Sequence, residues 1–141
     1  MSLKKPVFEN IKVGDQLPSL SKDITQVVMM AYSAATWDLA RVHYDKDYVQ
    51  SQGFQTTRVD GQMLGAYVAQ LVTDWIGDSG TLKKLSFQVR KMVIPGDKLI
   101  FKGSVTGKRT EGGEKLVTCD ISGENQNGDK VVSPASVLIS F

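Results

Sequence analysis

The sequence of 141 residues has few of the side chains that build covalent or metal cross-links, with one cysteine, Cys119, and one histidine, His43. A lone cysteine excludes a disulfide within the chain, and so few thiol and imidazole groups argue against a His/Cys metal site. No run approaches the roughly 20 apolar residues of a membrane span. Residues 1–6 lack the apolar core of a secretory signal. We therefore expect no metal, no membrane association, and a reducing, cytoplasmic setting.

An excess of charge of either sign is also lacking, since 17 basic residues face 15 acidic ones for a net charge of +2. A nucleic-acid-binding protein would be expected to show a clustered basic face, so we predict no nucleic-acid partner. The hydrophobic fraction of 41% and the charged fraction of 23% are ordinary for a globular protein and argue against disorder. The length predicts a single domain over residues 1–141.

Two segments carry the apolar repeat that is typical of helices. The first follows Thr25, whose hydroxyl can cap a helix, and ends near Thr36. An apolar stripe on this helix should face the core. The stripe consists of Ile24, Val27, Val28, Ala31 and Ala35. The second segment, residues 62–76, follows Asp60 as a candidate N-cap and is apolar over more than half of its circumference, so it should be largely buried.

Residues 85–141 alternate between apolar and polar side chains, which is the period of strands. Turns are predicted at 95–97 and 111–113, and the Asn-Gly pair at 127–128 is a hairpin signal. Pro134 cannot donate to a ladder of hydrogen bonds, so it should mark an edge strand or a bulge. The C-terminal part of the chain is therefore predicted to be a sheet.

Four consecutive strands joined by short turns predict an antiparallel meander with one face to bury. A short strand is also expected before Asp23. The helix at 62–76 is the long, broadly apolar element that can cover the sheet. The fold class is thus α+β, and the architecture is a hotdog fold, with a curved antiparallel sheet wrapped around one long central helix.

Candidate catalytic residues lie in the connection 37–60, which shows little periodicity and is long for a compact domain. His43 is the sole imidazole of the chain and follows Asp38 by five residues. A carboxylate and an imidazole that lie close together can share a water molecule, with one polarising it and the other orienting it or relaying a proton. The alternative is that His43 is an ordinary hydrogen-bonding residue of the surface or core.

Gly61 stands at the start of the predicted buried helix, where a glycine lets a ligand approach the backbone closely. Free N–H groups and the positive end of the helix dipole would suit a carbonyl that becomes an enolate. Alternatively, Gly61 only makes the turn into the helix. Trp37, Asp60 and Gln62 are candidate pocket residues. Asp60 is interpreted as a cap that points along the helix start, and Trp37 and Tyr32 are favoured as packing residues.

Residues 12–141 resemble the MaoC-like dehydratase family, single-hotdog relatives of the R-specific enoyl-CoA hydratases. The most specific part runs from Asp38 to His43 and is similar to the hydratase signature, in which an Asp is followed by Asn-Pro and then by a His five residues after the Asp. Residues 59–61 stand where the family has a Gly at the start of its central helix. Residues 93–97 resemble a family turn between strands.

By position, this resemblance implies that Asp38 and His43 hold and activate water and that the Gly61 N–H binds a thioester carbonyl oxygen. The implied reaction is reversible syn hydration of a trans-2-enoyl thioester, of CoA or an acyl-carrier protein, to a 3-hydroxyacyl thioester. It needs no metal or redox cofactor. Family members pair their sheets, so a homodimer or higher homo-oligomer is expected, with a heterodimer as another option.

The chain departs from the family signature at Ala40 and Arg41, which replace its Asn-Pro. One alternative is therefore a non-catalytic or partner-dependent subunit of a heteromeric dehydratase. A hotdog thioesterase ranks lower, because residues 62–73 contain no carboxylate of the kind that such enzymes commonly place on the central helix. Trp37 is further expected to narrow the pocket for a short or polar acyl chain.

Overall fold

The helices and strands of the chain are seen in a computed structural model that describes residues 5–141. In chain order they are β1 Leu20–Asp23, α1 Gln26–Thr36, α2 Lys46–Ser51, α3 Gly61–Ile76, β2 Thr81–Val89, β3 Lys98–Glu111, β4 Glu114–Glu124 and β5 Lys130–Ser140. Short 3-10 helices lie at Phe8–Asn10 and at Arg41–His43. No helix in this part of the chain is long and apolar enough to cross a bilayer.

Helix α3 is the buried helix that the sequence predicts. Its N-cap is as expected, since the Gln62 N–H donates to Asp60 Oδ1 at 2.9 Å. Eight of its sixteen residues are buried, and Val68 is not exposed at all. A Cβ at Gly65 would lie 2.4 Å from Phe87 Cε1, so the missing side chain lets the sheet approach the helix closely. The sheet and α3 thus share one core.

The sheet has the order β1-β3-β4-β5-β2, and all neighbouring strands are antiparallel. The predicted α+β arrangement is confirmed, but the simple four-strand meander is wrong in one connection. Strands β3, β4 and β5 are sequential neighbours, whereas β2 pairs with β5 and places Leu85 opposite Val137. The link 90–97 between β2 and β3 is longer than the usual hairpin loop, so it does not force these two strands to pair.

Pro134 lies in a bulge of β5, which is an interior strand of the sheet. The register of β5 shifts between Val132 and Ala135 against both of its neighbours. Of the two predicted settings, an edge or a bulge, the structure shows the bulge, where a missing N–H costs no ladder bond. Val132 and Ala135 both remain buried beside it.

Helix α1 begins as predicted but presents the opposite face to the core. The Val28 N–H donates to Thr25 Oγ1 at 3.1 Å, which confirms the cap. The residues that α1 buries are Met29 and Ser33, whereas Val27 is 74% exposed. The predicted stripe is exposed at its helical positions, which are Val27, Val28, Ala31 and Ala35. Because α3 already covers the apolar face of the sheet, α1 lies at the periphery with one narrow side covered.

Candidate active site

The connection 37–60 is ordered locally by a network around Asp45. Asp45 Oδ1 accepts the Tyr48 N–H at 2.9 Å and caps α2. Its Oδ2 accepts two hydrogen bonds from the Arg41 guanidinium, at 2.8 and 2.9 Å. The Tyr48 N–H and then the Arg41 side chain hold the pKa of Asp45 below its usual range. The turn that carries His43 is therefore braced from within the connection.

The His43 imidazole is held in one orientation. Its Nδ1 lies 2.8 Å from the Arg58 carbonyl oxygen, and because a carbonyl can only accept, Nδ1 carries the hydrogen. In the neutral ring the opposite nitrogen, Nε2, then has a free lone pair. This Nε2 lies 4.0 Å from Asp38 Oδ2, and the His43 side chain is 12% exposed. The nitrogen that faces Asp38 is thus the one that can accept a proton.

Gln26 of α1 joins the two stretches of the connection that hold this ring. Its Nε2 donates to the His43 carbonyl oxygen at 2.9 Å, and its Oε1 accepts from the Thr57 hydroxyl at 2.6 Å. Thr57 is completely buried and precedes Arg58, whose carbonyl binds the imidazole and whose N–H donates to the Val42 carbonyl at 3.1 Å. Sequence reasoning missed Gln26, because no motif connects it to a histidine seventeen positions away.

Asp38 faces the imidazole without a direct hydrogen bond, because 4.0 Å is too long for one. Its Oδ1 accepts the backbone N–H of Ala40 at 3.2 Å, so the residue in place of the signature Asn contributes only its main chain. One water molecule can span the gap from Asp38 Oδ2 to His43 Nε2 with two hydrogen bonds of about 2.8 Å each. The Asp38 side chain is 45% exposed, which leaves this gap open to solvent.

Asp60 brings a second carboxylate to the same place. One oxygen or nitrogen atom from each of Asp38, His43 and Asp60 lies within 4.8 Å of the other two. The predicted cap is confirmed by the bond from the Gln62 N–H, yet the expectation that the side chain would point only along the helix start is wrong. Two carboxylates and an imidazole are also donors that could hold a cation, so the absence of a metal stays a prediction.

Gly61 is the first residue of α3 and follows Asp60, whose carboxylate approaches Asp38 and His43. This N–H makes no hydrogen bond to any residue between 5 and 141. A Cβ at Gly61 would meet only Val89 Cγ2, at an ordinary 3.5 Å. The chain itself therefore leaves room for a side chain here. The Gln62 N–H is used by the cap, and the Gln62 side chain is exposed.

Two aromatic residues interpreted as packing residues differ in their surroundings. Tyr32 is half-buried against the core, and burial, followed by the carboxylates of Asp60 and Asp38, raises the pKa of its phenol. Trp37 is 81% exposed and ends α1 in a left-handed conformation with φ 59°. The packing interpretation of Trp37 is wrong within this chain, and its role in a pocket stays a prediction.

A family model described as "MaoC like domain" matches residues 8–126. The chain therefore belongs to the MaoC-like dehydratase family, as predicted from its sequence. The predicted class of hydratase or dehydratase is confirmed by this membership.

Three relatives are similar over most of their own length. The beta subunit of 3-oxo-4,17-pregnadiene-20-carboxyl-CoA hydratase from Mycobacterium tuberculosis is 29% identical over 121 residues, 86% of this chain and 91% of the relative. A chain of the ChsH1-ChsH2 complex from the same organism is 29% identical, with a TM-score of 0.81 over 92% of this chain and 98% of that one. The (R)-hydratase from A. caviae has a TM-score of 0.82 at 20% identity, over 93% and 97% of the two chains, which supports the predicted hotdog fold alone.

Proposed function

We propose that this protein adds water to, or removes it from, the double bond of a trans-2-enoyl thioester of CoA or an acyl-carrier protein. The observation that carries the proposal is the approach of His43 Nε2 to Asp38 Oδ2, 4.0 Å apart, beside the first turn of α3. Membership of the MaoC-like family and a relative named as an acyl-CoA hydratase subunit support it. We propose that the reaction uses no cofactor, because proton transfer and one N–H donor suffice. We further propose that the protein acts in the cytoplasm.

His43 carries the proton in this mechanism, and Asp38 orients the water. As the water oxygen bonds to C3 of the enoyl group, one water proton passes to Nε2, and the imidazolium then delivers a proton to C2 on the same face. The Asp38 carboxylate accepts a hydrogen bond from the second hydrogen of the water, which stays on the oxygen as the 3-hydroxyl group, and it stabilises the imidazolium. The hydrogen bond from Nδ1 to the Arg58 carbonyl keeps the ring aligned during both transfers.

Gly61 supplies the donor for the charge that this addition creates. Attack at C3 moves negative charge to the thioester oxygen, where a preorganised N–H is commonly worth about 3 kcal/mol. The Gly61 N–H is free of partners between residues 5 and 141 and lies at the positive end of α3. Since a Cβ would fit against Val89, the open space that glycine leaves is explained by a ligand held against the backbone.

A second chain is proposed to complete the site. The relative at 29% identity is a beta subunit, and a similar chain has been solved in a two-component complex. The apolar side chains that flank Asp38 in the sequence are exposed on this chain, with Trp37 at 81% and Leu39 at 50%. A homodimer or a heterodimer that covers them would shield the reacting groups from bulk water. A partner-dependent subunit is therefore the second candidate function.

The test compares hydration of trans-2-butenoyl-CoA by the wild type, His43→Ala and Asp38→Ala. We expect each substitution to lower kcat by about a hundredfold or more, which is the usual contribution of general acid–base catalysis. Asp74→Asn, which removes a carboxylate at the far end of α3, is the matched control and should retain the rate. Unchanged rates in both site variants would contradict the proposal. Activity that appears only with a partner chain would favour the second candidate function.

A further inference from the structure

Negative charge at the site is not balanced by a paired cationic side chain. Asp38 and Asp60 converge with His43 to within 4.8 Å. Within residues 5–141 neither carboxylate forms an ion pair with a lysine or arginine. A ligand bound here therefore meets two carboxylates from one side.

The arginines closest in sequence to these carboxylates are engaged elsewhere. The Arg41 guanidinium is bound to Asp45 at 2.8 Å. The Arg58 guanidinium lies over the Phe54 ring, 5.0 Å from its centroid, while its carbonyl binds the imidazole. Both guanidinium groups therefore already have partners within the connection.

We infer that Asp60 selects the substrate class of this site by excluding acyl groups that carry a carboxylate at the reacting double bond, in favour of neutral acyl chains. The inference rests on the proposed function, which holds C2 and C3 of the acyl group between the Asp38–His43 pair and the Gly61 N–H. A carboxylate on C3 is one bond from a reacting carbon. It must therefore lie beside the same three side chains.

Asp60 cannot turn away from such a ligand at no cost. Its Oδ1 accepts the Gln62 N–H at 2.9 Å and caps α3, so a rotation of the side chain would break the cap. Repulsion between two unit charges about 5 Å apart lowers affinity roughly fourfold in bulk water. At the lower effective dielectric constant of a protein surface it lowers affinity roughly 300-fold. About tenfold is expected for this partly exposed site.

Tyr32 responds to the same negative field. The carboxylates of Asp60 and Asp38 act after burial to raise the pKa of its phenol. A phenol is already neutral at neutral pH, and the raised pKa keeps it neutral at higher pH as well. A neutral hydroxyl adds no cation that would balance a carboxylated substrate.

The test measures binding of butyryl-CoA and succinyl-CoA by calorimetry to the wild type, Asp60→Asn and Asp74→Asn. These saturated ligands differ at the end of the acyl chain, methyl against carboxylate, and share every charge of CoA. Asn is also a good N-cap, so α3 keeps its start. Asp74 lies about 21 Å along the same helix, at 1.5 Å per residue, and is the charge-matched control.

We expect the wild type and Asp74→Asn to prefer butyryl-CoA by about tenfold and Asp60→Asn to lose most of that preference. An equal preference in the wild type and Asp60→Asn, or no preference in the wild type, overturns the inference even where trans-2-butenoyl-CoA is hydrated. Loss of the preference in Asp60→Asn without any hydration by the wild type overturns catalysis by the isolated chain and supports the selection by Asp60. Binding of neither ligand overturns both.

Discussion

Helices α1 and α3 have similar sequence signals and different surroundings. Both show apolar residues at helical spacing, and both begin at the predicted cap, Thr25 for α1 and Asp60 for α3. Yet α3 buries eight of its sixteen residues, whereas α1 buries two of eleven, Met29 and Ser33. Helical periodicity therefore identifies an apolar face without identifying what covers it.

The side of α1 that faces the protein contributes a polar residue to the site, which the apolar stripe of the helix does not predict. Gln26 lies on this side and holds His43 and Thr57. The Ser33 hydroxyl is buried there with no hydrogen-bond partner among residues 5–141. Helix α3 contributes to the site with its N-terminus and to the core with its length. Helix α1 contributes one amide side chain and leaves its apolar stripe exposed.

The largest difference between the two helices is expected from one substitution made on each. Val68→Ala removes two methyl groups from a fully buried position and should lower the free energy of unfolding by about 2.5 kcal/mol. Val27→Ala, at a position that is 74% exposed, should change it by less than about 0.5 kcal/mol. Urea denaturation of the isolated chain measures both values. Equal costs would contradict the outward orientation of the α1 stripe.

The role of Gln26 in positioning His43 is tested by the substitution Gln26→Met. This variant keeps the length of the side chain but leaves the Thr57 hydroxyl and the His43 carbonyl without their partner, which should cost about 1.5 kcal/mol in the free energy of unfolding. We also expect kcat to fall with little change in KM, since the imidazole loses its support and the substrate contacts remain. Val27→Ala is the control on the same helix. An unchanged kcat would show that Gln26 does not position His43.

Gly61 and Gly65, one turn apart at the start of α3, are compared by replacing each with alanine. Gly65→Ala forces the Phe87 ring to move, and after the gain in helix propensity we expect a net loss of about 1 kcal/mol. Gly61→Ala meets only Val89 at 3.5 Å, so thermal unfolding should be unchanged while hydration slows. Full activity of Gly61→Ala would contradict close approach of the thioester to this backbone.

The smallest expected difference between the two helices is in the rate at which their methionines are oxidised. Met30 on α1 is 51% exposed and Met63 on α3 is 2% exposed. Mild oxidation with hydrogen peroxide, followed by mass spectrometry, should convert Met30 to the sulfoxide and spare Met63. Slower oxidation of Met30 in an assembled form would locate the second chain on this face. Equal rates for the two methionines in the isolated chain would show that α1 is oriented differently.

The parts of the fold that depend on neighbours in sequence could be predicted. The caps at Thr25 and Asp60 were found, because a cap is a contact between residues two or three positions apart. The burial of α3 was found because its apolar face is broad. The partner of β2 was not, since pairing with β5 joins residues about fifty positions apart and leaves no local pattern.

The site divides in the same way. Asp38 and His43 could be recognised as candidates because they lie five residues apart in a segment that resembles a known signature. The support that Gln26 gives to His43 could not be recognised from the sequence, because the Gln26 amide meets the His43 carbonyl only when α1 folds against the connection. The second carboxylate, Asp60, was predicted as a cap and as a pocket residue, but its approach to both Asp38 and His43 depends on how the connection packs against α3.

By itself the sequence determined which residues of this protein form helices and strands, which helix becomes central, and which acid and imidazole are candidates for chemistry. These follow from spacing, hydrophobicity and capping, which act over a few residues. The tertiary structure alone decided that two carboxylates converge on one imidazole and that the apolar stripe of α1 faces outward. Both depend on how distant segments pack, because the effect of a charge or of an apolar face is set by the groups that lie next to it in space.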